Sequence, residues 1–576
     1  MTNQSRKIIA LYRPDHVSGI NATARRMAML PEPWLPMICG PGLDPRATSM
    51  PGFGPLPVTV ATWPEGADPV EQALAVYGAL REASATIVVP NDIPHGFVAA
   101  GIGAHEGLRA AAWIHADGLD ADELVERCGG LASAWRGVSG SNVRRAASIG
   151  TLARGGASEP VPCPVDVCDE APGVPDAAGG RPIRLLYAGR LERFNKRVLD
   201  LVALCDALVA RGVSFHLSIA GRGPAEGELR EAMSRHVRAG RVLLLGAVDN
   251  DRMRELYGAS DALVLVSGSE GTPVVAMEAM ASARAVIATD RCGGVLETIR
   301  AHTCGTITPV GDMHAMALAI GGLSLATLRA MGERAFRAAR ERYSVEALSP
   351  AIARWMDEAT NAAPIVDTSD PSSVARHWAM ILRALGAIGP CAEGSLRRLA
   401  TRYLGAIGRP QMAGALATWL PAETGPRERH FLRALDLIVS RGARRVALYG
   451  AGAHTARLSR AIGTRKEIVA IADDRAGERG VAASIGGAPV VAPVALQALG
   501  VDAVLISSDE HERTMLGRAL AWRAAGVTGA AIFPMYLASP TIGHSATRET
   551  IAQAPADERE FIAFEGAGLQ ATRRAG

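Results

Sequence analysis

The chain has 576 residues, of which 48% are hydrophobic and 21% charged, and its formal net charge is +3. The length predicts three or more domains, and the composition is that of a globular protein. The small net charge gives no support for nucleic-acid binding, no apolar run reaches a membrane span, and the N-terminus has no signal-like apolar region. A cytoplasmic protein is therefore expected. The eight cysteines fit neither a zinc site nor a disulfide framework, and no metal site is predicted.

The first 176 residues are predicted to form one α/β domain. Residues 7–12 are a short apolar strand, and a loop containing Gly19 leads to a helix from about Asn21. Further strands are predicted at 58–61, 86–89 and 110–114. Ligands bind beyond the carboxyl ends of strands in open parallel sheets, so His115 is a candidate site residue. The alternative for His115 is a solvated or helix-capping residue.

A second domain is predicted over residues 177–362, after a Gly- and Pro-rich linker at 152–182. Apolar segments and helical segments alternate strictly, which predicts a second doubly wound parallel sheet. Its strands are expected at 183–188, 214–220, 241–245, 262–266 and 285–288, and its helices at 199–211, 226–236 and 252–260. Asp249-Asn250-Asp251 could hold a divalent metal, but a helix cap is the simpler interpretation.

The most informative stretch runs from Val264 to Thr289. Two carboxylates, Glu270 and Glu278, flank the start of a helix predicted to have Thr272 as its N-cap and Pro273 as its first residue. The exposed end of a helix attracts phosphate. The first-turn amides expected to be free are those of Val274, Val275 and Ala276. Carboxylates beside phosphate need hydroxyl donors, which a sugar and a ribose supply, so the stretch predicts a sugar-nucleotide site.

Residues 363–425 are predicted to be a linker and helical connector. The segment 374–409 is expected to form two helices broken at Gly389-Pro390. Its arginines lie among apolar residues, a pattern that can lie on the anionic inner face of a membrane, although a solvated helix face is the alternative. These arginines are Arg376, Arg383, Arg397, Arg398, Arg402 and Arg409.

A third α/β domain is predicted over residues 426–545, followed by a tail at 546–576. A strand, a turn with Gly450 and Gly452, and a helix are followed by Asp473, 21 residues after Gly452. This spacing is similar to that of a dinucleotide-binding unit, where the acid meets the ribose. Thr455 stands at the third glycine position, so the segment is either an NAD-type nucleotide site or a structural or regulatory domain.

Five motifs in register carry a family resemblance: YAGRLERFNKR, SIAGRGP, YGASDALVLVS, SEGTPVVAMEAMA and ATDRCGGVLE. Residues 183–350 resemble the nucleotide-binding domain of GT-B retaining glycosyltransferases of family 4, the group 1 family. The resemblance extends more weakly over residues 5–360. It implies two Rossmann-like doubly wound domains facing a cleft. The third Rossmann-like domain resembles modules appended to sugar-modifying enzymes, and no activity is inferred for it.

The resemblance also implies roles for individual residues. Arg190 and Lys196 match a basic pair that neutralises the donor diphosphate, and Lys196 is one of only three lysines in the chain. Glu270 and Glu278 match carboxylates that contact the donor sugar and the ribose, and His115 matches a histidine near the donor sugar and acceptor. The remaining residues implied at the donor site are Gly19, Gly221, Gly271, Thr272, Pro273, Val274 and Val275.

The resemblance therefore implies transfer of a sugar from a nucleoside diphosphate sugar to an acceptor hydroxyl with retention of configuration. No metal and no covalent nucleophile are expected. The acceptor could be a glycan, a lipid-linked sugar or a small molecule, as in polysaccharide or glycoconjugate synthesis. Two alternatives remain: a sugar-nucleotide epimerase with the same two-domain architecture, and a non-catalytic sensor with the C-terminal domain as its output.

Overall fold

The computed structural model of the chain describes residues 6–13, 19–47, 57–115, 119–149, 159–173, 180–193, 195–389, 391–412, 431–432, 434–436, 438–439, 442–478, 481–508 and 512–535. The chain divides into two compact units, Met1–Ala422 and Glu423–Gly576. Three six-stranded sheets are present in the described residues, two in the first unit and one in the second.

The first sheet has the strand order β3-β2-β1-β4-β5-β6, and every pair of neighbouring strands is parallel. Its central strand is completely buried, as the apolar sequence IIALY predicts. The unpredicted β2 contains two prolines, which disfavour strands. The unpredicted β6 has only four residues. The strands are β1 Ile8–Tyr12, β2 Trp34–Pro41, β3 Thr59–Trp63, β4 Ile87–Val89, β5 Arg109–Ile114 and β6 Ala134–Gly137.

The second sheet has the order β12-β11-β10-β7-β8-β9 and is also parallel throughout. The five predicted strands are confirmed to within one residue at either end, because strand, loop and helix alternate here with little interruption. The short edge strand β12 was not predicted. The strands are β7 Ile183–Ala188, β8 Phe215–Ala220, β9 Val242–Gly246, β10 Ala262–Leu265, β11 Ala285–Thr289 and β12 Gly305–Thr308.

The helices of the first unit cover both sheets. The helix predicted over residues 226–236 is in fact two short helices, and Asp249 caps the following helix by accepting the Arg252 amide at 2.8 Å, as predicted. The helices are α1 Gly19–Met27, α2 Pro69–Glu82, α3 Pro94–Gly103, α4 Leu119–Cys128, α5 Gly140–Ile149, α6 Asp200–Ala210, α7 Glu226–Ala232, α8 Ser234–Arg238, α9 Asn250–Ala259, α10 Val274–Ala281, α11 Val295–His302, α12 Met313–Gly321, α13 Leu325–Arg342, α14 Val345–Asn361, α15 Pro371–Ile388 and α16 Glu393–Ala406. Short 3-10 turns lie at Ala104–Glu106, Gly129–Leu131 and Pro410–Met412.

The helices α15 and α16 pack onto the helices beside the first sheet and form part of its core. Trp378 of α15 and Tyr403 of α16 stack with ring centroids 5.8 Å apart, and both are buried. The ring of His377 meets the Gly101 carbonyl of α3 at 2.8 Å. The core of the first lobe therefore draws on residues far beyond 1–176. Arg376, Arg397 and Arg402 remain exposed, so membrane contact stays a prediction.

The third sheet has the order β15-β16-β14-β13-β17-β18, with parallel pairing except between β15 and β16. The predicted strands around the Gly-rich turn are present. The strands are β13 Val446–Tyr449, β14 Ile468–Ala472, β15 Ser484–Ile485, β16 Ala488–Val491, β17 Ala503–Ile506 and β18 Ala531–Pro534. The helices bounded in the described part of this unit are Ala453–Arg457, Ser459–Gly463, Ala495–Ala498 and Glu512–Ala524.

A helix that crosses a bilayer needs about 20 mostly apolar residues. None of the described helices alone is both long and apolar enough to do so. The helices α12 and α13, which meet at an angle of 103°, satisfy the criterion only as a pair and only by length and composition.

Candidate active site

The order of strands in the second sheet reverses between β7 and β10, and open α/β sheets bind ligands in the crevice at such a reversal. The segment after β7 carries Arg190 and Lys196, and the segment after β10 carries Glu270. A backbone bond joins the two segments, because the Gly268 amide donates to the Asn195 carbonyl at 2.7 Å. The fold therefore brings Lys196 and Glu270 together from segments 74 residues apart.

Lys196 and Glu270 form a direct ion pair. The Lys196 Nζ donates to Glu270 Oε1 at 2.5 Å, and the Ser267 hydroxyl donates to the same oxygen at 2.7 Å. No described residue donates a hydrogen bond to Oε2 of Glu270. Burial alone lowers the pKa of Lys196, but Glu270 and Glu192 outweigh it and leave the pKa raised. The site thus holds a permanently charged ammonium and a carboxylate with one oxygen available to a ligand.

Arg190 is more open than Lys196. Its side chain is 59% exposed, and its Nε lies 3.7 Å from Glu192 Oε2. Its carbonyl accepts a hydrogen bond from the buried Tyr187 hydroxyl at 3.2 Å, which fixes the backbone while the guanidinium stays in solvent. Arg190 can therefore move toward an anion at the edge of the crevice without breaking a buried contact.

A close backbone crossing explains Gly221. This residue has a φ of +145°, and a Cβ atom there would lie 1.9 Å from the Gly189 carbonyl oxygen. The loops after β7 and β8 can approach each other this closely only because one residue lacks a side chain. The close approach of these loops therefore explains why residue 221 is a glycine. Its contact with a donor stays a prediction. Gly19 is the first residue of α1, two residues before the expected helix start.

The helix start after Glu270 differs from the prediction. Pro273 is the N-cap and Val274 the first residue of α10. The Thr272 hydroxyl does not cap the helix, because it donates to the Val138 carbonyl of the first lobe at 2.8 Å. The Ala276 amide is not free either, since it bonds to the Pro273 carbonyl at 3.0 Å. The amides of Val274 and Val275 have no backbone acceptor among the described residues, so these two first-turn amides are available to a ligand.

The two lobes of the first unit touch at Gly271. A Cβ atom on Gly271 would lie 2.1 Å from the His115 carbonyl oxygen and 3.1 Å from a methyl group of Val138. Together with the bond from Thr272 to Val138, this contact places the segment carrying Glu270 directly against the carboxyl ends of β5 and β6. The crevice of the second sheet is therefore closed on one side by His115 and Val138.

His115 lies at this boundary, but its ring faces its own lobe. Its Nε2 lies 3.1 Å from Asn91 Oδ1, and its Nδ1 lies 3.6 Å from the Cys163 sulfur. Because Asn91 Oδ1 is an acceptor, Nε2 carries the ring proton. Burial lowers the pKa of His115 to about 3 and raises that of Cys163 to about 12, so both side chains are neutral at pH 7. The group that His115 presents to the second lobe is its carbonyl.

Glu278 is held by two residues that sequence reasoning did not identify. Its Oε1 accepts from Arg26 at 2.9 Å, and its Oε2 accepts from the Tyr257 hydroxyl at 3.0 Å. Arg26 belongs to α1 of the first lobe, is 7% exposed, and also lies 3.3 Å from Asp166. A carboxylate oxygen has the capacity to accept more than one hydrogen bond, so a ribose hydroxyl can bond to Glu278 without displacing Arg26.

Nothing local in the sequence marks Arg26, which follows another arginine on an amphipathic helix. Asn91 and Asp92 were also not singled out from the sequence, although a local signal marks them: they lie just after the predicted strand at 86–89, and ligands bind beyond the carboxyl ends of such strands. In the described residues, no group of three or more His, Cys, Asp or Glu side chains is arranged to hold a metal ion.

In the second unit, the turn after β13 is tied to Asp473. The Ala451 amide, between Gly450 and Gly452, donates to Asp473 Oδ2 at 2.8 Å. The hydroxyl of Thr455 is buried and donates to the Gly450 carbonyl at 2.5 Å, which explains why threonine serves where glycine is common. These bonds stabilise the turn in the absence of any ligand, and a nucleotide at this site stays a prediction.

The second sheet lies in a segment that matches a known protein family. Residues 182–324 match the family model described as glycosyl transferases group 1. These residues carry the group 1 pattern. The match begins just before β7 and ends after α12, so it contains Arg190, Lys196, Glu270 and Glu278.

The curated relatives match between 20% and 28% of this chain. The phosphatidyl-myo-inositol mannosyltransferase of Mycolicibacterium smegmatis is 32% identical over 140 residues, which are 24% of this chain and 35% of that protein. The amylovoran biosynthesis glycosyltransferase AmsK of Erwinia amylovora is 29% identical over 150 residues, 25% of this chain and 36% of its own. The chain spans only about a third of the length of the curated relatives it matches, from 30% to 39%.

A solved structure matches a longer part of the chain. Anabaena HepE, in complex with UDP and glucose, has a TM-score of 0.50 and 18% sequence identity, and the match covers 61% of this chain and 99% of that one. This likeness shows the fold, two Rossmann-like domains in the GT-B arrangement, which confirms the predicted fold class.

Proposed function

We propose that this protein is a glycosyltransferase that moves a sugar from a nucleoside diphosphate sugar to an acceptor hydroxyl with retention of configuration. The observation that carries the proposal is the Lys196–Glu270 pair at the strand reversal of the group 1 segment. An ammonium for a diphosphate and a carboxylate for sugar hydroxyls are the two groups that such a donor requires.

The departing diphosphate gains negative charge as its bond to the sugar breaks. Lys196 carries three N–H donors and gives one to Glu270, so the others can reach a phosphate oxygen without loss of the ion pair. Arg190 and the amides of Val274 and Val275 add positive charge from the rim. Such preorganised donors typically lower a barrier by about 3 kcal/mol each, and they need no metal.

The donor sugar would be oriented by Glu270. Its Oε1 is fixed by Lys196 and Ser267, so Oε2 is held in a defined direction for a sugar hydroxyl. The ribose would bond to Glu278 on the second turn of α10. Contact between the lobes at Gly271 would keep water away from the reacting carbon.

The test is incubation of the full chain with UDP-, GDP- and ADP-sugars and an acceptor panel, followed by mass spectrometry and NMR of the anomeric proton. A product with the anomeric configuration of the donor supports the proposal. An inverted product would overturn retention. Isomerised donor would indicate an epimerase, and donor binding without turnover would indicate a sensor.

A matched pair of variants assigns any activity to this site. Glu270→Gln keeps the shape but loses the charge opposite Lys196, so turnover should fall by at least tenfold. Glu341→Gln, on the exposed surface of α13, should behave as the unaltered protein. Equal activity of the two variants would remove Glu270 from the proposed role.

A further inference from the structure

The first sheet repeats the strand reversal of the second, between β1 and β4. Its crevice therefore lies beyond Tyr12 and Val89, and the residues that follow Val89 are Pro90, Asn91 and Asp92. Building on the proposed function, we propose that Asp92 binds the acceptor hydroxyl and removes its proton during transfer. The acceptor would then be a neutral alcohol, such as a sugar or polyol hydroxyl.

The backbone at this position is left-handed. Asn91 and Asp92 are consecutive residues with φ of 48° and 63°, a conformation that asparagine and aspartate adopt more readily than other residues with side chains. The turn is held by the Asn91 side chain, whose Nδ2 donates to the Leu11 carbonyl at 3.0 Å. Left-handed residues other than glycine are frequent where a protein must aim one side chain at a ligand.

The Asp92 carboxyl group is only half satisfied. Its Oδ2 accepts the His115 amide at a long 3.4 Å, and its Oδ1 is buried without a hydrogen-bond partner among the described residues. A buried acceptor without a donor normally costs stability, so its retention indicates a partner that arrives with a ligand. A hydroxyl group would supply the missing donor.

The charged and titratable groups facing Asp92 come from three segments. Burial raises the pKa of Asp92 to about 7, while the His115 amide and the charge of Arg13 oppose the rise. Cys163 on the other side is a neutral thiol and His115 a neutral imidazole. A carboxylate with a pKa near the working pH is well suited to accept a proton.

His115 connects Asp92 to the donor segment. Its amide reaches the Asp92 carboxyl group, and its carbonyl oxygen meets the backbone at Gly271, next to Glu270. An acceptor hydroxyl bound to Asp92 would therefore be separated only by His115 from the segment that would hold the donor sugar.

In the transfer step, the acceptor oxygen attacks the anomeric carbon on the face that the diphosphate leaves, so that the configuration is retained, while the bond from that carbon to the diphosphate breaks. The bonding electrons leave with the diphosphate, and the hydroxyl proton passes to Asp92 Oδ1. The protonated Asp92 returns its proton to solvent after product release. When no acceptor alcohol is present, water can take its place and the donor is hydrolysed.

The test measures consumption of the donor that the unaltered chain uses, with methyl α-glucoside, methyl α-mannoside, glycerol or water as acceptor. Asp92→Asn should lower consumption at pH 8 by at least 100-fold, whereas calorimetric binding of UDP should stay within twofold. In the unaltered protein, kcat/KM should fall as pH decreases through about 7, because protonated Asp92 cannot take a proton. This acid limb should be absent from the residual activity of Asp92→Asn.

A second substitution separates this role from a purely structural one. Asp92→Gly removes the carboxyl group and relieves the positive φ, so its melting temperature should equal or exceed that of the unaltered chain while activity is still lost. Asp169→Asn, at a fully exposed aspartate, is the matched control and should keep full activity.

Two outcomes would overturn the inference. If Asp92→Asn consumes donor at more than half the normal rate, or keeps the acid limb, Asp92 is not the base and the proposed function still stands. If the unaltered chain neither binds nor consumes any sugar nucleotide, the proposed function fails and the inference fails with it.

Discussion

The two sheets of the first unit share one topology but present different chemistry where their strand order reverses. At the reversal of the second sheet, Lys196 and Glu270 form a compensated ion pair with one carboxylate oxygen left over. At the reversal of the first sheet, Asp92 has a buried oxygen for which no described residue is a hydrogen-bond partner. The same topology thus offers a balanced charge pair for the proposed donor and a carboxyl group with a spare acceptor for the proposed neutral acceptor.

The two sheets also differ in how they are completed. The second sheet is covered by helices adjacent to it in sequence, whereas the first needs α15 and α16, which come from residues 371–406. The second lobe is therefore continuous in sequence, whereas the first lobe is assembled from two separate segments of the chain.

The largest effect should come from removing α15 and α16. A chain ending at residue 365 loses Trp378, Tyr403 and the apolar residues around them. Burying one large apolar side chain contributes about 2 kcal/mol, so losing five or more approaches the whole stability of a domain. Hydrogen exchange should show the first lobe unprotected and the second sheet still protected. A chain ending at residue 422, the limit of the compact unit, is the control and should be protected throughout. Equal protection in both would show that the first sheet does not need these helices.

The next effect concerns the ion pair of the second sheet. Lys196→Ala removes the ammonium from the crevice and should lower donor turnover by about 100-fold, which corresponds to about 3 kcal/mol of transition-state stabilisation. Steady-state rates with the preferred sugar nucleotide measure the change. Lys466→Ala, at an exposed lysine of the second unit, is the matched control. Turnover of Lys196→Ala near that of the control would exclude Lys196 from the site.

A smaller effect is expected for the ion pair that joins the lobes. Arg26→Met and Glu278→Gln, alone and combined, form a double-mutant cycle that can be measured by urea unfolding. Because Arg26 is buried, the coupling free energy should be about 1–3 kcal/mol. The exposed pair Arg329–Glu333, at 3.4 Å on one helix, is the control and should couple by about 0.3–0.5 kcal/mol. Similar coupling in the two cycles would mean that the lobes are not held by Arg26.

The smallest effect should come from the hydroxyl that crosses the lobe boundary. Thr272→Val removes the bond to the Val138 carbonyl and should cost about 1 kcal/mol of unfolding free energy. Thr401→Val provides the comparison, because that hydroxyl bonds only to Arg397 within its own helix and is exposed. Its loss should change the unfolding free energy by less than about 0.5 kcal/mol. If both variants lose the same amount, the cross-lobe bond adds nothing to stability.

The second sheet could be predicted closely from local sequence patterns. The strands around Leu186 and Val264 were predicted correctly, because apolar strands, Gly-containing loops and amphipathic helices are local patterns. Two site residues were also indicated: Glu270 stands beside a predicted helix start, and Lys196 matches a basic residue of the family that the chain resembles. The first sheet was predicted less completely, because β2 contains prolines and β6 is short.

Which side chains meet could not be predicted, because it depends on how distant segments fold together. Arg26 and Glu278 are 252 residues apart, and no local pattern indicates that a helix of one lobe would supply the partner of the predicted ribose ligand. The same holds for Thr272, which bonds across the lobes instead of capping its helix, and for His115, whose ring turns toward Asn91. Periodicity records which residues are buried, whereas the direction of a polar side chain depends on donors and acceptors that distant segments bring close.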